Sequence, residues 1–355
     1  MYQSMLGYDI WKKKYKINMM RLKKTFLSLS LISLSLTCSA QTPFWLGADI
    51  SGTTEMEAKG EVLYDQHGNI IENTALMKQL GLNAIRLRVW VNPRGGFSGA
   101  QDVLKMAERA RYYGMAVMID FHYSDWWADP GKQPIPAAWQ YYAVGEMREV
   151  LAAHTRETLR LLREHHIDVR WVQVGNETTH GFLWPMAKAE ENMDNYALLT
   201  KAGCEAVKEI YPKAQIIIHL DGGCDLSRYL RIFDALKQRG VSWDIIGMSV
   251  YPYWDMEAGL EKNWQGSVHD FASNVIQLYK RYGTESMIVE TGVQVKYPMQ
   301  SKQILKAIIE AARHKTDGHC LGVFYWAPEL EGEYPLGAFK DHRPTVIMDA
   351  FREAK

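Results

Sequence analysis

Two short stretches of the chain carry carboxylates where they could do chemistry. Residues 170–178, RWVQVGNET, run from an apolar segment into Gly175, Asn176 and Glu177; residues 287–292, MIVETG, run from another into Glu290. Both segments have the length and β-branched content of a buried strand, and Gly175 lets the first turn sharply where it ends. A buried strand ending in a glutamate delivers a carboxyl group to one end of a sheet, and two of them suggest a pair facing across one pocket. Such a pair suits cleavage of a glycosidic bond. One carboxyl protonates the leaving oxygen while the other attacks the anomeric carbon or activates water. Surroundings that push the two pKa values apart assign the roles.

Other strand ends bring compatible side chains. Arg86, Arg88 and Trp90 share one face by the two-residue period of a strand. The segment before Phe121 leads into Asp120, His122, Tyr123, Asp125, Trp126 and Trp127. Further runs lead into His219 and Asp221, into Tyr251, Tyr253 and Trp254, and into Trp326. A barrel needs nothing polar at these ends for stability, so their convergence points to a site. His122, His180 and His219 raise the alternative of a metal, but a first-strand HxH and an HExxH are both missing. Hydrogen-bonding histidines are the reading adopted, with no metal and no cofactor expected. The chain has no GxSxG elbow, so a serine hydrolase is unsupported.

The elements that must position these residues are legible as alternating patterns. Strand-like runs fall at 45–50, 84–89, 116–121, 171–174, 215–220, 245–250, 287–290 and 322–326. Helical spacing of apolar residues occupies 74–80, 100–113, 144–165, 192–210, 227–239, 269–282 and 301–314, several closed by a glycine. Eight strands alternating with helices predict a single (β/α)8 TIM barrel over residues 41–355, longer than the ~250 residues typical of that fold. A doubly wound sheet is the alternative. It would show a glycine-rich phosphate loop after its first strand, and residues 48–52, ADISG, are not one.

Residues 1–40 read as an N-terminal extension and signal peptide. Arg21, Lys23 and Lys24 precede an apolar run at 26–36 that is too short to span a membrane, and cleavage after Ala40 follows. Met19 and Met20 are alternative starts. The chain is therefore expected to be exported to the periplasm, the cell surface or the medium. Lipidation of Cys38 is an alternative that its neighbours Ser35 and Thr37 do not favour. Charge is balanced, with 41 basic and 41 acidic residues, so neither a nucleic-acid surface nor an acidic tail is implied. The remaining cysteines, Cys204, Cys224 and Cys320, are odd in number and lack CxxC spacing, as buried free thiols would be. The chain holds 12 tryptophans and 19 tyrosines, whose flat faces pack cores and can also hold the apolar faces of sugar rings.

Several longer motifs add to this. They are GADIS at 47–51, EMEA at 55–58, RLRVWVNP at 86–93, DFHYSDWWADPGKQ at 120–133, GNE at 175–177 and LWP at 183–185. HLD at 219–221, YPYW at 251–254, VET at 289–291 and FYW at 324–326 complete the set. Over about residues 44–350 the chain resembles the endo-β-1,4-galactanases of glycoside hydrolase family 53. RLRVWVNP followed by DFHYSD is specific to that family, whereas GNE marks only its clan. The resemblance implies a retaining hydrolase acting on β-1,4-galactan, the galactose side chains of pectin. It makes Glu177 the acid/base and Glu290 the nucleophile, and has Asn176 hold the sugar 2-hydroxyl. Arg86 and Tyr251 would position Glu290, His122 would line the pocket, and Trp90, Trp127 and Trp326 would stack on sugar rings. His219 and Asp221 complete the expected substrate-binding set, and a monomer is expected. The chain departs from the family in Ala327 and Leu330, where a glutamate and a tryptophan are usual, and 292–298 lacks the calcium insert of some bacterial relatives. A non-catalytic galactan-binding barrel and a mannan or xylan hydrolase are the competing readings. Retention further predicts carboxyl groups about 5–5.5 Å apart. It also predicts a Glu177 that keeps its proton in less charged surroundings, and a Glu290 held ionised by Arg86.

Overall fold

The computed structural model describes residues 43–354, so the signal peptide and Cys38 expected within residues 1–40 lie outside them. Among the described residues, eight parallel strands close into a barrel: β1 (Trp45–Asp49), β2 (Ala84–Val89), β3 (Ala116–Phe121), β4 (Val169–Val174), β5 (Gln215–Leu220), β6 (Ile245–Val250), β7 (Glu285–Thr291) and β8 (Cys320–Trp326). Neighbours follow chain order, and β1 pairs with both β2 and β8, which leaves no open edge. Successive strands are joined through α1 (Asn73–Gln79), α2 (Ala100–Tyr112), α3 (Val144–Glu164), α4 (Ala189–Ile210), α5 (Leu226–Gln238), α6 (Trp264–Tyr282) and α7 (Pro298–His314). A short α8 (Ala350–Glu353) follows β8. This is the (β/α)8 barrel that the alternation predicts. No helix among the described residues is long and apolar enough to cross a membrane.

The main departures from the expected boundaries have local causes. The helix expected at 269–282 begins at Trp264, because the Asn263 side chain accepts a hydrogen bond from the Gly266 N–H and caps it. The helix expected from 301 begins at Pro298, whose fixed φ suits a first turn. Two short helices lacked a sequence signal: Thr53–Ala58 after β1, and Pro252–Glu257, which carries Trp254 above β6. Their single turns are too brief to show periodicity.

The barrel interior has two layers. Ala84, Met118, Trp171, Ile217, Ile245, Met287, Val289 and Phe324 form a buried apolar plug. Nearer the C-terminal ends the inward residues turn polar: Asp49, Arg86, Asp120, Gln173, His219 and Ser249, all at most 1% exposed. Parallel-barrel chemistry sits at this end of the strands.

Candidate active site

Arg86 is the hub of the polar layer. Its Nη1 contacts Asp49 Oδ2 at 2.7 Å, and its Nε donates to Gln173 Oε1 at 2.7 Å. Its Nη2 faces Asp120 Oδ2 at 2.8 Å, Glu290 Oε1 at 2.9 Å and Asn176 Oδ1 at 2.8 Å. Nη2 carries two hydrogens and meets three oxygens, so the guanidinium is shared among three carboxylates. Burial works against the charged form of Arg86, but Asp120, Glu290 and Asp49 outweigh it and raise its pKa above the ordinary arginine value.

Glu290 ends β7 on the cavity side. Besides Arg86 it accepts a hydrogen bond from Tyr251 OH at 3.1 Å. Burial pushes its carboxyl up to about 7; Arg86 and the Tyr251 hydroxyl pull it back, while Asp120 and Asp49 add repulsion. Arg86 thus favours the charged form of Glu290, as expected, but does not bring its carboxyl back to the ordinary glutamate value. A cation divided among three carboxylates does not cancel the cost of burying each.

Glu177 projects from beyond β4. Gly175 makes this possible, with φ +89 and a backbone so close to Thr178 that a Cβ would lie 2.5 Å from its Cγ2. Glu177 itself adopts φ +46, a left-handed conformation that is uncommon outside glycine and concentrates at functional sites. Ser249 Oγ donates to its Oε1 at 2.6 Å. Burial raises its pKa well above the ordinary glutamate value, the charges of Glu290 and Asp221 add to this, and the bond from Ser249 opposes it. Two carboxyls on one cavity, with a cation and a tyrosine on only one of them, differ as an acid and a nucleophile should.

A cavity of about 540 Å³ joins the two glutamates. Its lining includes the expected His122, Trp127, Asn176, Asp221, Tyr251 and Trp326. Trp127 and Trp326 meet edge to face at 5.6 Å. His122 accepts from the Ala128 N–H through Nδ1, and its Nε2 lies 2.9 Å from Asp120 Oδ2. Asp221 is held at the rim by Arg228 and by the Thr179 hydroxyl.

Three expected contacts lie behind the surface. Arg86 and His219 are fully buried and reach the cavity only through Glu290, Asn176, Ser249 and Glu177. Trp90 is 1% exposed, and its ring is covered by Trp126 at 4.6 Å, Trp127 at 5.2 Å and the Arg88 guanidinium at 4.6 Å. The expectation that Trp90 stacks on a sugar is therefore corrected: no face remains free. Its indole N–H points at His122 Nδ1, 3.4 Å away, as support from beneath.

Sequence reasoning did not single out Asp49, Gln173, Ser249 or Tyr334 as site residues. Strand parity would have found three of them. Gln173 is in phase with the inward Trp171, and Ser249 with Tyr251; Asp49 ends the first strand level with Arg86. Tyr334 lines the cavity from the irregular loop after β8, where no period applies.

The model of glycosyl hydrolase family 53 matches residues 45–334. The chain belongs to this family. It is a glycoside hydrolase by that membership. The family 53 chain is 29% identical over 315 residues to the endo-β-1,4-galactanase of Bacillus subtilis strain 168, covering 80% of this chain and 70% of that one. It is 31% identical over 341 residues to the probable arabinogalactan endo-β-1,4-galactanase A of Aspergillus fumigatus Af293, covering 89% and 93%. Its fold superposes on the GH53 catalytic domain of Ignisphaera aggregans with a TM-score of 0.79 and 29% identity, over 88% of this chain and 96% of that one.

Proposed function

We propose that this family 53 hydrolase is an exported, endo-acting, retaining β-1,4-galactanase that cuts the galactan side chains of pectin, with Glu177 as acid/base and Glu290 as nucleophile. The observation that carries this reading is the asymmetry of the two glutamates. Glu290 Oε1 touches a guanidinium and its Oε2 accepts from a tyrosine, so of the pair it gives up its proton first. Among the described residues Glu177 has no cation within bonding distance, and it faces the charge of Glu290. Between the pKa values of the two, the site holds one carboxylate and one carboxylic acid. Glu290 attacks the anomeric carbon as Glu177 protonates the departing oxygen; Glu177 then takes a proton from the water that releases the glycosyl ester. Asn176 gives one amide hydrogen to Ala128 O at 2.8 Å, which leaves its second for the sugar 2-hydroxyl. Trp127 and Trp326 offer ring faces to the substrate, and the names of the relatives support galactan over mannan or xylan.

Reducing ends should appear from potato galactan and not from mannan or xylan, and proton NMR of early hydrolysis should show the β-anomer first. An initial α signal would overturn the assigned roles, and cleavage of mannan or xylan alone would overturn the substrate.

A further inference from the structure

Behind Glu177 lies a hydrogen-bonded series that ends on its carboxyl group, and the site chemistry above leaves it unused. Ser249 Oγ meets Glu177 Oε1 at 2.6 Å, and His219 Nε2 meets Ser249 Oγ at 2.8 Å. Both residues are at most 1% exposed, so water does not compete for these bonds.

The strands are shaped to make this series. Gly247 of β6 pairs with His219 of β5, and a Cβ on it would lie 3.2 Å from His219 Cα and 2.6 Å from Ile217 Cγ2. A glycine there lets the two strands and the imidazole close up. The β6–β7 register then shifts between Met248 and Ser249, which sets Ser249 opposite Glu290. Bulges of this kind re-aim a side chain beside an active site.

The direction of the bonds follows from counting donors. Arg86 can only donate, and its Nε is bonded to Gln173 Oε1. The other end of that amide is therefore the NH₂ group, which reaches Asp120 Oδ1 and His219 Nδ1, both at 3.1 Å. The Glu177 backbone N–H also points at His219 Nδ1, at 3.4 Å. Two donors aimed at Nδ1 outweigh one acceptor, Asn176 Oδ1 at 3.1 Å, whose lone pairs Arg86 already engages. Nδ1 is thus the bare nitrogen, and the imidazole is neutral with its proton on Nε2. That proton goes to Ser249, whose own hydrogen must go to Glu177 Oε1.

We propose that Ser249, oriented by His219, is a positioning residue that keeps Glu177 Oε1 an acceptor, so that the catalytic proton is carried on Oε2. Oε2 has no side-chain partner among the described residues, and Glu177 borders the cavity. An acid that could park its proton on either oxygen would spend part of its time pointing it at Ser249. The inference rests on Glu177 being the acid/base. The ionisable groups facing Glu177 are Glu290 on β7, Asp221 just after β5, Arg86 on β2, Tyr251 after β6, Tyr229 on α5 and Tyr334 beyond β8. None of them is bonded to the Ser249 hydroxyl, which among the described residues meets only His219 and Glu177.

Three measurements on the full chain test it. Ser249→Ala should lower kcat/KM on galactan about tenfold, a part of the 10²–10⁴-fold that general acid catalysis contributes. It should also move the basic limb of the pH profile upward, because a bond that favours the carboxylate is lost; Ser249→Thr should restore both. An unmoved basic limb in a folded Ser249→Ala variant would overturn the proposal. Nitrogen-15 NMR of histidine-labelled enzyme, with His219→Asn to assign the signal, should report a proton on Nε2. A proton on Nδ1 reverses the series and overturns the proposal even if the serine variants fail to fold. Glu177→Ala tests the underlying reading separately. It should keep turnover of a dinitrophenyl β-galactobioside, whose leaving group needs no acid, and gain from azide. Loss of that turnover without azide rescue would remove the acid/base assignment and this inference with it.

Discussion

The two layers of the barrel interior are built from the same strands, two residues apart, and are opposite in physics. The plug around Met118, Trp171, Ile217 and Phe324 holds no polar group except the Trp171 indole N–H. It contributes stability through burial alone, worth about 1.5–3 kcal/mol per large side chain. The layer above it crowds Arg86, three carboxylates, two histidines, two amides and a serine into nearly as little solvent, at the floor of the cavity. Every bond there offsets a desolvation cost, so that layer holds its geometry without adding comparable stability. The barrel can carry a costly site because the plug beneath it is not asked to do chemistry.

The comparison breaks most sharply at Glu290. Glu290→Ala should reduce turnover by about 10⁴-fold or more, as loss of a nucleophile does, and azide should restore it with an α-galactosyl azide as product; near-normal activity would refute the assignment. Glu290→Gln should also change stability in a pH-dependent way. The folded carboxyl sits at about 7 against 4.5 for the free group, so the native protein binds the extra proton between those values and loses stability as pH rises through them. Wild type and Glu290→Gln should melt alike near pH 4. At pH 8 the variant should be the more stable by about 3 kcal/mol.

Arg86→Ala should cost both activity and fold, since it strands three buried carboxylates. Removing one partner from a buried ion pair costs about 3–5 kcal/mol, read here by denaturant unfolding. Met118→Ala, in the plug, should cost about 2–5 kcal/mol in the same experiment while leaving the pH profile of kcat/KM where it was. A shifted profile would show that the layers are coupled. The smallest effect belongs to Trp326→Ala. Trp326 borders the cavity and meets Trp127 and Tyr334 edge to face. Its loss should raise KM by the few-fold that corresponds to about 0.5–1.5 kcal/mol of aromatic contact, with little change in melting temperature. Melting tens of degrees earlier would place Trp326 with the core instead.

The sequence by itself determined the alternation of eight strands with helices, because burial on both faces writes a continuous apolar run and a helix writes a period of 3.6. It also determined that Glu177 and Glu290 stand at strand ends, since Gly175 and the ends of the apolar runs mark where each strand stops. Only the closed barrel decided which polar residues meet. Arg86 contacts Asp49, Asp120, Gln173 and Asn176 across separations of up to 90 positions, and Glu290 across more than twice that, and no local pattern encodes such distances. Closure likewise decided that Trp90 is covered, since its parity is that of Arg86 and Arg88 but Trp126 and Trp127 fold over it. The bulge after Met248 and the closeness of Gly247 to His219 decided that Ser249 reaches Glu177. A strand's sequence states which face a residue takes; the neighbouring strand's register states what that residue touches.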